Sequence, residues 1–206
     1  LCRALRELLA DEPRFTLFHE DFLKADLSRN LPPLFGEREI FVAANLPYYI
    51  TSPCIMKLLE SGLGIRRMTV MVQKEVAQRV CAAPNSADYG AFSAAVQFFA
   101  EPRLLTTVSA SCFYPQPEVS SAVMTLSLRE TLPGDAKSYL ATVRALFAMR
   151  RKTVRSNLRQ AAGLSPEEAE ALLAEAGING DARAENLSVN DFLSISMLLH
   201  KKTIKI

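Results

Sequence analysis

Metal-binding and disulfide-forming residues are scarce in this chain, and those present are scattered. Cys2, Cys54, Cys81 and Cys112 form no C-x-x-C pair, and only His19 and His200 stand beside them. This argues against a structural zinc and a disulfide scaffold, and fits a reducing, cytoplasmic compartment with no metal cofactor. No apolar run approaches the roughly 20 residues of a membrane-spanning helix, and nothing resembles a secretory signal, so no membrane partner is expected. Repeats and low-complexity segments are lacking as well. Net charge is only +2, so any nucleic-acid surface must be a local patch. Glycine is also missing where a nucleotide site would use it: there is no Gly-x-Gly-x-x-Gly, and Gly62-Leu63-Gly64 is the nearest approach.

What remains is ample for a core. With 206 residues and 49% hydrophobic content, one large or two small domains are expected. Leu1, Ala4, Leu5, Leu8 and Leu9 start a helical pattern at once. A helix needing a partner from its first residue is expected to belong to a longer protein. The pattern ends near Asp11-Glu12-Pro13. Phe15 to Glu20 reads as a strand, with Asp21 at its end. An acidic residue there could accept a hydrogen bond from a nucleoside's adenine amine, or simply cap a turn. Pro32-Pro33 and Gly36-Glu37 mark a loop.

The central stretch is Asn45-Leu46-Pro47-Tyr48-Tyr49-Ile50-Thr51-Ser52-Pro53, following the apolar run Ile40 to Ala44, which reads as a buried strand. Open α/β sheets bind ligands at this carboxyl edge. The constellation suits methylation of an exocyclic base amine. The Asn45 side-chain oxygen and the Leu46 carbonyl can accept both hydrogens of an adenine N6, aiming its lone pair at a methyl donor. Pro47 fixes φ and helps hold that carbonyl in place. Tyr48 offers a face on which an extruded base can stack. The bland alternative is an ordinary strand-to-helix turn.

Beyond it, Cys54 to Leu59 reads as a helix, Met68 to Val72 as a strand and Lys74 to Val80 as a helix, an alternation that predicts a mostly parallel sheet. Phe92 to Phe99, Arg103 to Val108 and Ser121 to Leu128 resemble strands and hairpins, consistent with a mainly parallel sheet that finishes with an antiparallel pair. The loop Ser111 to Val119 is stiffened by Pro115 and Pro117. Phe113 just before them could form the second wall of an aromatic clamp, or be an ordinary core residue.

Arg129 to Asp135 reads as a linker between a domain of residues 1–129 and a helical one of residues 130–206. From Tyr139 to Ala161, Leu140, Val143, Phe147, Val154 and Leu158 line one helical stripe. Arg144, Arg150, Arg151, Lys152, Arg155 and Arg159 fall in this stretch with no acidic residue among them, which marks a phosphate-binding face rather than a merely solvated one. Ser165-Pro166-Glu167-Glu168 and Leu187-Ser188 open two further helices, and Gly177 ends the first of them.

Five segments together resemble the KsgA-type (RsmA) small-subunit ribosomal RNA adenine dimethyltransferases. They are Asn45 to Pro53; Gln73-Lys74-Glu75-Val76-Ala77 with Arg79; Tyr89-Gly90 followed by Phe113, Pro115, Pro117, Val119 and Ser121; Phe147, Arg150-Arg151-Lys152 and Asn157-Leu158; and Arg183-Ala184-Glu185-Asn186-Leu187-Ser188, where Ala184 replaces the family's Pro. The resemblance implies an α/β fold: a Rossmann-like class I methyltransferase domain, incomplete at its N-terminus, followed by a small all-α domain. It implies S-adenosylmethionine as donor and two adjacent adenines in the 3′-terminal hairpin loop of small-subunit rRNA as substrate, each dimethylated at N6, with a checkpoint role in subunit assembly. Asn45, Leu46, Pro47, Tyr48 and Phe113 would handle the base. Asp21 would contact the donor's adenine, with Asn45 bordering the donor. The basic residues would grip the small ribosomal subunit, and a monomer is expected. The family's donor-binding Gly-rich loop has no counterpart here, so this chain by itself is expected to bind donor poorly. Alternatives are a non-catalytic assembly factor of the same ancestry and an adenine-N6 methyltransferase for another nucleic acid.

Overall fold

A computed structural model of the chain describes residues 1–36, 38–202, 204 and 206. Glu37, part of the expected loop, lies outside them. The first helix, α1 (Cys2–Leu8), stops short of the Asp11-Glu12-Pro13 punctuation and buries none of its residues; Leu1 and Leu8 are 95% and 80% exposed. Phe15 to Glu20, expected to be a strand, forms none, and no strand among the described residues lies beside it to supply a ladder. Two short helical turns, α2 (Leu27–Asn30) and α3 (Pro32–Phe35), precede the sheet. Asp26 caps α2 by accepting from Arg29 N–H, and Pro32 begins α3 where its missing N–H costs nothing.

The sheet has four strands, β1 (Ile40–Asn45), β2 (Ile65–Gln73), β3 (Ala100–Val108) and β4 (Ser121–Leu128), in the order β1-β2-β4-β3. Only β1 and β2 are parallel; β4 runs antiparallel between β2 and β3, so the described sheet is mixed rather than mostly parallel. The paired residues Met68 and Leu126, Val70 and Met124, Val72 and Ala122 are all fully buried, placing one face of the sheet in the core. Among the described residues β1 lies at the edge of the sheet rather than buried within it. Phe41 is 60% exposed, and its apolar run satisfies the ladder on one side only.

Against the buried face lie α5 (Lys74–Cys81) and α6 (Ala91–Phe99), with α4 (Thr51–Leu59) packed on α6. The sequence reads residues 92–99 as a strand. They form a helix because Ser93, Ala94, Ala95, Val96, Phe98 and Phe99 are buried around nearly the whole circumference, which erases the polar face that would mark helical period.

The C-terminal part is all helical. A single helix over Tyr139 to Ala161 is expected from the stripe; the structure has α7 (Ala136–Phe147) and α8 (Val154–Ala162), separated by the turn Ala148–Thr153. Thr153 caps α8 by accepting from Ser156 N–H, and Gly163, at φ +64°, ends it in the left-handed conformation. Ser165 and Ser188 likewise start α9 (Pro166–Glu175) and α10 (Val189–Lys201) with capping boxes.

These helices are tied to the sheet region. Tyr139 stacks on Phe98 of α6 with centroids 4.0 Å apart and donates its hydroxyl to the Ala94 carbonyl at 3.1 Å. Such an aromatic pair adds about 0.5–1.5 kcal/mol beyond area burial. Asn186 donates to Asn85 Oδ1 at 2.8 Å, bridging the same two regions.

Candidate active site and nucleic-acid interface

The sheet sets the position of the Asn-Leu-Pro-Tyr segment. Asn45 pairs with Met71 at the carboxyl end of β1, and Leu46 N–H reaches the Met71 carbonyl at 3.1 Å. Pro47 then turns the chain into a 3₁₀ turn, Tyr48–Ile50, which runs straight into α4. The Pro47 carbonyl accepts from Thr51 Oγ1 at 3.1 Å and Ile50 N–H at 3.2 Å, locking the turn. In contrast, no hydrogen bond among the described residues engages the Leu46 carbonyl or the Asn45 side-chain amide. Both are free for a ligand.

Across from them lies the proline-stiffened loop, whose Tyr114–Pro115 peptide is cis. Asn45, Leu46, Pro47 and Tyr48 face Phe113, Tyr114, Pro115 and Pro117 across one cleft of about 320 Å³. Tyr48 and Phe113 are both half-buried, so each retains ring surface toward the cleft. The structure thus brings together all five residues expected to handle a base. It adds Tyr114, fully exposed at the rim, which the sequence did not single out.

Asp21 is not part of the lining. Its Oδ1 accepts from Leu23 N–H at 2.9 Å, and its backbone carbonyl from Lys24 and Ala25 N–H, so the side chain organises a turn. Lys57 on α4 pins that turn by donating to the carbonyls of Leu23 at 2.9 Å and Ala25 at 2.5 Å, leaving the Asp21 charge near Cys54. Lys57 was illegible as an organiser because its partners are backbone atoms 32 and 34 residues away. Gly62 and Gly64 do not serve the cleft either. They line a separate depression with Ile40, at the opposite end of β1.

The basic residues do not line the cleft; they lie on α7, α8 and the turn between them. Arg144, Arg150, Arg151, Lys152 and Arg159 are exposed and have no ion-pair partner among the described residues. Arg155 departs from the expectation of a phosphate contact. Its guanidinium is held by Glu170 at 2.6 Å and Asp181 at 3.1 Å, and packs where a Cβ on Gly180 would meet it at 2.9 Å. With both carboxylates already on it, Arg155 ties α8 to α9 instead. The Arg150–Lys152 turn is held from behind by buried Asn157, whose Nδ2 donates to the carbonyls of Leu146 at 2.7 Å and Met149 at 3.3 Å.

An α/β sheet flanked by helices, with an amide, a free carbonyl and two aromatics converging at a strand's carboxyl edge, defines a Rossmann-like methyltransferase. Solved structures agree in fold. The structure superposes on a dimethyladenosine transferase from Plasmodium falciparum with a TM-score of 0.81, at 22% identity, covering 98% of this chain and 78% of that one. For the 23S rRNA methyltransferase ErmE the TM-score is 0.66 at 24% identity, covering 96% and 77%.

The chain belongs to the ribosomal RNA adenine dimethylase family, whose sequence profile matches residues 1–201. Among curated relatives named ribosomal RNA small subunit methyltransferase A, that of Shouchella clausii is 42% identical over 206 residues, covering 97% of this chain and 70% of the relative. That of Oceanobacillus iheyensis is 38% identical over 198 residues, covering 93% and 67%.

Proposed function

We propose that this protein transfers methyl groups from S-adenosylmethionine to N6 of two adjacent adenines in the 3′-terminal hairpin loop of small-subunit rRNA, forming N6,N6-dimethyladenine, and acts in small-subunit assembly. One observation carries the reading. Asn45, Leu46, Pro47, Tyr48 and Phe113 line a single cleft, and the two hydrogen-bond acceptors among them are uncommitted. Family membership and the relatives' names support the substrate class.

The chemistry on the acceptor side follows from these atoms. Adenine N6 is a poor nucleophile because its lone pair is delocalised into the ring. Asn45 Oδ1 and the Leu46 carbonyl each accept one N6 hydrogen, which favours a more tetrahedral nitrogen with its lone pair directed outward. Tyr48 and Phe113 hold the base flat between them, offsetting the few kcal/mol of unstacking, least for an unpaired loop base. Neither carboxylate nor imidazole lines the cleft among the described residues, so the N6 proton leaves to water at the open rim.

Bound S-adenosylmethionine supplies an electrophilic methyl group. Here Asn45 borders where it would sit and Asp21, which does not line the cleft, would contact its adenine, but the glycines of the described residues form no cradle at this edge. The exposed Arg144, Arg150, Arg151, Lys152 and Arg159 would bind rRNA phosphates, a grip that is salt-dependent.

Dimethylation removes both N6 hydrogens and with them Watson–Crick pairing, so it halts reverse transcription. Primer extension on small-subunit rRNA from cells lacking the gene should read through two adjacent adenines at which wild-type rRNA stops. Identical stops in both strains would refute the proposal. A missing stop elsewhere would redirect it to another adenine target.

A further inference from the structure

One side-chain hydrogen bond joins the Asn45–Tyr48 wall of the cleft to the strand that follows the opposite wall. The Tyr48 hydroxyl lies 2.7 Å from Ser121 Oγ, across 73 residues of sequence. Ser121 is fully buried and opens β4, in register with Gln73 of β2 on one side and Val108 of β3 on the other. Its backbone is therefore fixed from both flanks. Lys74 N–H, bonded to the Ser120 carbonyl at 3.0 Å, fixes the preceding residue as well. The loop bearing Phe113, Pro115 and Pro117 runs directly into this point.

The Asn45–Tyr48 wall is held less firmly. The other bonds of the Tyr48 turn among the described residues are local ones, from Thr51 and Ile50 to the Pro47 carbonyl. A half-buried ring on such a turn can swing about its Cα–Cβ bond unless its far end is tied.

We infer that Ser121 is a positioning residue for methyl transfer: by holding the Tyr48 hydroxyl it fixes the long axis of the ring opposite Phe113, at the spacing that admits one base. The inference rests on the proposed use of the cleft for a base. It also assigns how Tyr48 acts. A hydroxyl engaged by a buried serine is not offered to the base, so Tyr48 works through its face. Geometric fixing of this kind matters for rate more than for affinity, since a displacement of about 1 Å can cost up to 10²-fold.

The test uses the complete protein with Ser121→Ala, Ser121→Thr, Tyr48→Phe and the Ser121→Ala/Tyr48→Phe double variant. Ser121→Ala and Tyr48→Phe should each lower kcat about tenfold, with KM for RNA within about twofold, because either change removes the same bond. The double variant should be no slower than the singles, and Ser121→Thr, which keeps the hydroxyl, should recover most of the rate. Independently of activity, the ¹³Cζ resonance of Tyr48 should shift in Ser121→Ala and stay in place in Ser121→Thr. Unchanged kcat in Ser121→Ala, an approximately hundredfold multiplicative loss in the double variant, or an unmoved Tyr48 resonance would overturn the inference. Wild-type protein that methylates no RNA, while the resonance shift is present, would place the failure in the proposed function and not in the hydrogen bond.

Discussion

Replacing Asn45 with Ala separates chemistry from folding and binding more cleanly than any other change in this molecule. The side chain is exposed and makes no hydrogen bond among the described residues, while its backbone pairs with Met71, an arrangement that Ala preserves. Folding stability should therefore change by no more than about 0.5 kcal/mol. The transition state loses one of two preorganised acceptors for N6, a loss of about 10²–10³ in kcat, or roughly 3–4 kcal/mol. Affinity for RNA, carried by basic residues that do not line the cleft, should stay within about twofold. Asn45→Asp keeps an accepting oxygen and should retain measurable activity. Single-turnover transfer of labelled methyl to unmethylated small subunits gives the rate, filter binding gives the affinity, and urea unfolding gives the stability. Equal losses in rate and affinity would refute the assignment of Asn45 to the reacting amine, as would an Asn45→Ala protein with wild-type turnover.

Other expectations follow from the C-terminal helices and the core. Charge reversal at Arg151 and Lys152 should weaken rRNA binding and reduce its dependence on salt by about one unit of slope for each phosphate no longer neutralised; unchanged binding at low and high salt would make the turn a solvated surface. Arg155→Ala should leave that slope intact and cost roughly 1 kcal/mol in urea unfolding, since its partners Glu170 and Asp181 are partly exposed. Asn157→Ala removes two bonds to backbone carbonyls and should cost about 2 kcal/mol, with weaker RNA binding as the Arg150–Lys152 turn loosens. Burial first, and the Asp191 charge second, push the Tyr89 hydroxyl up to about 12. Unfolded tyrosine ionises near pH 10, so stability should be full below about pH 10 and fall between about 10 and 12. Tyr89→Phe should reduce that alkaline loss in urea titrations without abolishing it, because burial raises Tyr139 as well.

The acceptor side of the site was legible because its residues are chemically special and lie in short segments. An Asn-Leu-Pro-Tyr run after an apolar strand, and a Phe before two prolines, each state a geometry locally. What stayed hidden depends on partners distant in sequence. Ser121 is an ordinary serine until Tyr48 meets it, and Lys57 an ordinary lysine until a turn more than 30 residues back folds onto it. Arg155 fell within a run of basic residues, and the acids that claim it come from α9 and the segment after it. The secondary structure departs from local sequence pattern for similar reasons. Residues 92–99 are buried on nearly all sides, so helical period left no polar trace. The stripe over residues 139–161 continued across a turn closed by Asn157 and Thr153 rather than by Gly or Pro. Phe15 to Glu20 has strand composition but no strand partner among the described residues.

The most direct test of the account is transfer of labelled methyl from S-adenosylmethionine to unmethylated small ribosomal subunits by the complete protein, with the product nucleosides resolved. The expected result is N6,N6-dimethyladenosine at two adjacent adenines, formed about 10²–10³-fold more slowly by Asn45→Ala and strongly reduced when Tyr48 or Phe113 becomes Ala. Binding to the subunit without any methyl transfer, or label that appears at a site other than adenine N6, would contradict it.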